Sequence, residues 1–334
     1  MAFTSSISRV ARRTLIGTCA AALLCGAATI ASAQQAWPAR PVRIIVPATP
    51  GGSSDPLARI FAEELSRALN GSFVVENRAG ANGNVGASLV AKAEPDGYTI
   101  LMSWTGTLVS AVTLYDSKPF DPRRDFEPIV LLGSIPNVIS VNAQLPVRNM
   151  AELTDYAKRN PGKLNFGSTG SGSSWHLSGE LYKKTFGVFM VHVPYTSPAG
   201  VTTDLLGDRL QLAFPGSTAI APLTKDGRVR ALAVMADKRS AVLPDVPTTK
   251  ELGYPALASE TWMGLLAPKG TSKEITTKIN AAVNAALADP IFRARLVGMG
   301  YTPMGGTSGD FAGYMDSEIK KWMEVVKFSG AKID

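Results

Sequence analysis

Two residue types that carry much of protein chemistry are almost missing here: the chain of 334 residues has 2 cysteines and 2 histidines. Cys19 and Cys25 both sit in an apolar run near the N-terminus, and no cysteine follows them. The rest of the chain therefore has no disulfide, no thiol nucleophile and no cysteine-based metal site. His176 and His192 lack companions at the spacing a metal site or a catalytic base requires, so each reads as a satisfied structural residue. No metal or cofactor is expected. Beyond the N-terminal segment no apolar run reaches the roughly 18 residues that a membrane-spanning helix needs. Like charges never run to five in a row, although the formal net charge is +7. A nucleic-acid-binding face needs clustered basic charge, and that class of function is not expected either.

What is present begins with residues 1–33, which have the three-part pattern of an export signal peptide. Arg9, Arg12 and Arg13 form a basic start, Leu15 to Ile30 is apolar and alanine-rich, and Ala31-Ser32-Ala33 presents small residues at a cleavage position. The Arg12-Arg13 pair leaves both the general and the twin-arginine routes open. Thr18 and Leu24 precede the cysteines where a lipidated cysteine normally follows a small residue, so lipid attachment is not expected. Without Arg9, Arg12 and Arg13 the Lys+Arg count falls from 34 to 31 against 27 acids, a net of +4. Residues 34–334 are more than one core usually organises, which predicts two lobes.

The most informative stretch is Gly167-Ser168-Thr169-Gly170-Ser171-Gly172-Ser173-Ser174-Trp175-His176-Leu177. It follows a β-like segment at Lys163–Phe166 and opens a helix through Leu177, Leu181 and Tyr182. A glycine- and hydroxyl-rich turn at a helix N-terminus offers N–H groups, a positive dipole end and hydroxyls, a set suited to a carboxylate or phosphate. Pro50-Gly51-Gly52-Ser53-Ser54-Asp55 is a second turn of this kind, after the strand Val42–Val46. Asp55 fits as the N-cap of the next helix and Pro56 as its first residue. Two such turns far apart in one chain suggest a small anion held between two lobes.

Strand and helix patterns alternate along the chain, which predicts α/β layers over mostly parallel sheets. Further strands are expected at Phe73–Glu76, Tyr98–Met102, Asn137–Val141, Phe189–Val193, Leu210–Phe214, Val229–Met235 and Thr261–Ala267. Helices are expected at Ala87–Ala93, Met150–Arg159, Val201–Leu206, Lys273–Ala288 and Phe311–Val326. The predicted lobes are 34–134 with the return strand and C-terminal helices at 260–334, and 135–259. Two crossings between lobes let a cleft close by hinge rotation.

These residues resemble a known family. Pro50-Gly51-Gly52-Ser53-Ser54-Asp55 with Ala58-Arg59, Glu76-Asn77-Arg78-Ala79-Gly80-Ala81, Pro95-Asp96-Gly97-Tyr98-Thr99, His192-Val193-Pro194-Tyr195, Leu243-Pro244-Asp245-Val246-Pro247-Thr248 and the terminal Lys321-Trp322 are similar, in order and spacing, to the tripartite tricarboxylate transporter substrate-binding proteins, also called the Bug family. The resemblance runs through nearly all of residues 37–334. It implies a two-lobed periplasmic binding protein fold of type II with two crossover strands. The implied function is capture of a small organic carboxylate, or dicarboxylate, by a monomer for delivery to a permease with a large and a small membrane subunit. It further implies that Gly51, Gly52, Ser53 and Ser54 from one lobe and Ser168, Thr169, Gly170 and Ser173 from the other hold the carboxylate. Trp104, Thr105, Tyr195, Ala199 and Ser217 would line the cleft. Two positions depart from the family pattern: Ala48-Thr49 replaces an aromatic residue and proline, and Thr196-Ser197 replaces lysine and glycine. Less bulk and one cation fewer point to a ligand other than a small amino-acid-like or citrate-like acid, such as a bulkier one.

Rival readings are weaker in the residues themselves. Ser171 invites an exported serine hydrolase, but Thr169 and Ser173 stand where the Gly-x-Ser-x-Gly elbow needs glycine. Gly80-x-x-Gly83-x-x-Gly86 is not dinucleotide spacing and reads as a tight turn with close helix approach. Trp104, Trp175 and Trp262 could stack on a ligand or fill the core. Arg78 could meet a carboxylate or serve a structural ion pair. A ligand-sensing module that feeds a signalling partner stays open as an alternative to transport.

Overall fold

Alternating strands and helices assemble into two mixed sheets in the computed structural model, which describes residues 37–51, 54–115 and 118–331. The expected signal peptide at 1–33, both cysteines, and Gly52 and Ser53 lie outside the described residues. The first sheet has the order β11-β4-β10-β3-β1-β2, and the second β7-β6-β8-β5-β9. In the first, β1 (Val42–Val46) pairs parallel with β2 (Phe73–Asn77) and β3 (Thr99–Trp104). β10 (Glu260–Pro268) lies antiparallel between β3 and β4 (Phe126–Pro136), and β11 (Thr302–Gly305) closes the edge. In the second, β6 (Asn165–Ser168) runs parallel to β7 (Val191–Pro194) and β8 (Leu212–Ala213), while β5 (Val138–Asn142) is antiparallel to β8 and to β9 (Val229–Val234).

Ten α-helices connect these strands among the described residues. α1 (Ser54–Ala68), α2 (Asn84–Ala91) and α3 (Thr105–Thr113) follow β1, β2 and β3. α4 (Met150–Arg159) leads into β6. α5 (Ser174–Phe186), α6 (Pro198–Leu206) and α7 (Ser217–Lys225) follow β6, β7 and β8. α8 (Lys273–Ala288), α9 (Pro290–Gly298) and α10 (Ser308–Ser329) form the C-terminal part. The apolar stripe of α1, Leu57, Ile60, Phe61 and Leu65, is buried as its helical spacing requires. The helix begins one residue before the expected cap, at Ser54. Asp55 turns its carboxylate back onto Gly51 N instead, at 3.1 Å.

The sheets are joined where β4 runs into β5 with only Asn137 between them, and where the chain returns from β9 to β10. Asn137 is fully buried and is the centre of this crossing. Its N–H donates to Ser259 O at 3.0 Å, its carbonyl accepts from Met235 N at 2.8 Å, and Ser259 N donates to Met235 O at 2.7 Å. The Asn137 amide also donates to Ser178 Oγ at 2.8 Å and Ser259 Oγ at 3.2 Å. A buried amide must be satisfied somewhere, and here the satisfaction ties three chain segments into one joint.

The C-terminal helices are expected on the first lobe. α8 does pack on α1 and β4, but α10 lies against β4 and α3 and also against α5 of the second half. Trp262 and Trp322 are fully buried, and their indole N–H groups both donate to Glu318 Oε2, at 3.1 and 2.9 Å. Lys321 Nζ donates to Ala258 O at 2.7 Å, and Lys184 meets Glu324 across the two halves at 3.4 Å. Residues from both sheets, such as Ile45, Leu101, Phe166 and Leu212, share one apolar core.

Candidate functional site

Six helices follow directly on the carboxyl ends of parallel strands, three in each sheet, so six helix N-termini cluster at those ends. Open α/β sheets bind ligands just outside the carboxyl ends of their strands, where N–H groups and positive dipole ends face the crevice. Close contacts show that the two sets of ends face one another. A Cβ on Gly172 would lie 2.5 Å from Leu114 Cδ1, 2.9 Å from Ser110 Cβ and 3.3 Å from Asn82 Nδ2. Gly106, at the start of α3, is likewise 3.5 Å from Gly172 O by its would-be Cβ. Gly172 also has φ +82°, so glycine is required there by space and by conformation alike.

On the first side the turn after β1, the 78–86 loop and the start of α3 pack together. A Cβ on Gly86 would lie 2.7 Å from Arg78 O and 2.8 Å from Pro47 Cβ, and one on Gly83 would overlap Thr107 Oγ1. That is the close approach expected of the Gly80, Gly83 and Gly86 series. Gly51 is exposed, with φ +80°, and its N–H donates to Asp55. Burial pushes Asp55 toward its neutral form, but hydrogen bonds from Arg59, Gly51 and Asn77 together outweigh it and hold the pKa below the usual carboxylate value. Ser54 is buried and Trp104 half-buried, with the indole folded over Gly106. Thr105 is fully buried; its hydroxyl accepts from Trp262 N at 3.0 Å and donates to Glu260 O at 3.2 Å, pinning α3 to the return strand.

On the second side the turn 168–173 is held largely by its own members. Ser168 Oγ is fully buried; it accepts from Gly170 N at 3.2 Å and meets His192 Nε2 at 2.6 Å. Ser173 caps α5 by accepting from His176 N at 3.3 Å. Gly172 N donates to His176 Nδ1 at 3.0 Å. Thr169 and Gly170 are half-buried at the surface of this turn. Tyr195 is half-buried, and its hydroxyl donates to Asp204 Oδ2 at 2.6 Å; burial and that carboxylate push its pKa up to about 12. Ala199 is exposed on α6.

Burial normally demands a partner, and among the buried side-chain atoms without one, which include Ser103 Oγ, Thr249 Oγ1 and Glu180 Oε2, two belong to the first residues of helices that follow parallel strands. Asn84, the first residue of α2, is 5% exposed, and neither its amide nitrogen nor its amide oxygen has a hydrogen-bond partner in the protein. Ser217, the first residue of α7, is fully buried with its hydroxyl equally unpartnered. Asn84 was not singled out from the sequence. Its only signal there was an asparagine at the end of a glycine series, where turn chemistry explains it as well.

The ambiguous side chains resolve. Trp175 packs in the core of the second half with Val138, Val201 and Leu205, and Trp262 is core as well. Arg78 pairs with Glu76. The histidines are not independent: their rings stack with centroids 3.9 Å apart and an interplanar angle of 23°. Neither ring is turned to Ser171 or Ser173 as a base, because one serves Gly172 N and the other Ser168.

Two α/β halves joined by two crossing segments, with opposed strand ends between them, define a periplasmic binding protein fold of type II. Comparison with known proteins names the group. The sequence profile of the tripartite tricarboxylate transporter family receptors matches residues 57–330, and the chain belongs to that family. It is 35% identical to the protein BugT of Bordetella pertussis over 298 residues, 89% of this chain and 91% of that one. An R. palustris protein solved with adipate is 38% identical, with a TM-score of 0.81, covering 89% of this chain and all (100%) of that one. MatC from Rhodopseudomonas palustris, solved with bound malate, is 31% identical, with a TM-score of 0.77, covering 87% of this chain and 100% of the other. Among the described residues no helix is long and apolar enough to cross a membrane.

Proposed function

We propose that this chain is a periplasmic receptor that captures a small organic dicarboxylate between the opposed strand ends and hands it to a two-subunit membrane permease. It is exported by cleavage of residues 1–33 and works as a monomer, with lobes at 34–134 plus 260–334 and at 135–259. The observation that carries this reading is the pair of unpartnered buried groups, Asn84 and Ser217, at the first positions of helices on opposite sheets. An amide and a hydroxyl there, with the positive ends of six helices, supply donors and a favourable potential for a carboxylate without a mobile cationic side chain. Thr169, Gly170 and the β1 turn complete the contact surface.

Relatives solved with adipate and malate support a dicarboxylate as the ligand class. Ala48 is half-buried beside the β1 turn and Thr196 is exposed after β7; it is the small, uncharged side chains at these two departures from the family pattern that favour a longer, less densely charged acid than citrate. The test is a thermal-shift panel of C4 to C8 dicarboxylates, citrate, amino acids and sugars, followed by native mass spectrometry of the purified protein. Stabilisation by linear dicarboxylates is expected. Stabilisation by citrate alone refutes the size argument, and stabilisation by sugars or by no carboxylate refutes the receptor's ligand class.

A further inference from the structure

The only two histidines of the chain are 16 positions apart in sequence, yet the parallel register of β6 and β7, which sets Phe166 opposite His192, places that ring beside the one on the first turn of α5. The stacked pair lies against Phe166, whose ring centroid is 5.0 Å from His192 and 6.4 Å from His176. From this stack one nitrogen reaches each end of the glycine-rich turn. His192 Nε2 meets Ser168 Oγ at the beginning, and His176 Nδ1 accepts from Gly172 N at the end.

We propose that His176 and His192 are positioning residues: as one stacked, uncharged unit they set the span of the 168–173 turn, and so place its anion-holding groups and seat Gly172 against α3. This rests on the carboxylate-receptor reading for its function, but the geometry stands without it. A backbone N–H pointing at Nδ1 requires a lone pair there, so the proton of the His176 ring sits on Nε2, which faces Glu180 Oε1 at 3.8 Å. Protonation of Nδ1 would put two N–H groups head to head and release Gly172. A charge on one ring would also oppose a charge on the other at 3.9 Å.

The surroundings favour the uncharged form. Burial lowers His176 to about 3, with His192 and Lys183 adding to the effect, and burial with Lys183 lowers His192 to about 4. The charged groups facing the pair are Glu180 and Lys183 of α5, bonded to each other at 2.8 Å. Burial raises the Glu180 pKa, and Lys183 only partly offsets it.

The test compares variants that delete one function of a ring with variants that keep it. His176→Leu removes the acceptor, whereas His176→Asn keeps an acceptor near the Nδ1 position. His192→Phe keeps the stack and loses the hydrogen bond, whereas His192→Gln keeps a polar atom at the Nε2 position. With adipate and malate as titrants, His176→Leu and His192→Phe are expected to weaken Kd by roughly tenfold or more at a temperature where all variants are folded, and the polar variants to recover most of it. The wild-type Kd is expected to stay flat from about pH 5 to pH 8, with no inflection near the ordinary histidine value of about 6.5.

Nitrogen-15 NMR of the histidines supplies an arm that needs no ligand. It should show His176 protonated on Nε2, and amide exchange at Gly172 should speed up in His176→Leu. A wild-type Kd retained by His176→Leu and His192→Phe, or a proton found on Nδ1, overturns the proposal. Failure of the wild type to bind any carboxylate refutes the receptor reading alone, because the tautomer and the exchange at Gly172 are still decided.

Discussion

Replacing Asn84 by leucine separates stability from binding. The side chain is 5% exposed, and both of its amide atoms are buried without a partner in the protein. A buried, unsatisfied hydrogen-bonding group costs about 1–3 kcal/mol, and exchange for an apolar side chain of similar size removes that cost. Leucine is also a better helix former than asparagine, by a few tenths of a kcal/mol in an exposed helix. The ligand-free variant is therefore expected to be more stable than wild type by about 1–2 kcal/mol, after allowing for imperfect packing of the branched side chain. In a protein of this size that corresponds to roughly 1.5–3 °C in Tm. Binding moves the other way: loss of a charge-assisted hydrogen bond to a carboxylate weakens Kd by about ten- to a hundredfold. Differential scanning fluorimetry without ligand and calorimetric titration with adipate or malate give the two numbers. A variant that melts lower than wild type and keeps its Kd refutes the assignment, because the amide would then be structural.

Three further outcomes are expected. Asn137→Ala removes the side-chain donor at the crossing and leaves Ser178 and Ser259 with fewer partners, so urea denaturation should show a loss of about 1–3 kcal/mol; an unchanged midpoint would show the joint to be redundant. Gly172→Ala places a methyl 2.5 Å from Leu114 Cδ1 at φ +82°, so it should weaken ligand binding and raise the radius of gyration of the ligand-bound form in small-angle scattering; wild-type affinity and shape would contradict the contact. Acid should destabilise the protein through the histidines. Their folded pKa values, about 3 and about 4, lie below the unfolded value, so the unfolded state binds more protons as pH falls below about 6.5. Stability is full above that pH and is lost progressively down to about pH 3, the lower of the two folded values. His192→Gln should lessen the pH dependence of the urea midpoint over this window while His176 retains its share, and a wild-type midpoint that does not move would refute the argument.

Much of the architecture was legible locally. Val42–Val46, Met150–Arg159 and Lys273–Ala288 form the elements expected of them at the same boundaries, because an apolar run or a helical stripe between breakers needs no distant partner to be read. Other elements were missed. The strand Phe126–Pro136 contains Pro128, Gly133 and Pro136, which read as breakers, yet it is buried between β10 and β11 and joins the two sheets. The helix Thr105–Thr113 is rich in β-branched residues and has no charge, so nothing marked a helix; burial of nearly all its side chains overrides propensity. The helix Ser217–Lys225 was hidden by Pro222.

By itself the chain determined its α/β alternation and its glycine turns, because positive φ and helix starts are properties of a few neighbouring residues. Gly170 and Gly172, at φ 111° and 82°, take up conformations that such a turn demands. Only the tertiary structure decided what those turns do. Strand register set His192 opposite Phe166 and within reach of Ser168, the crossing brought Asn137 to Ser178 and Ser259, and burial left Asn84 and Ser217 at their helix starts without partners. The reason is physical: whether a polar group is satisfied depends on atoms far away in sequence, and these come within reach only once the sheets have paired and the halves have met.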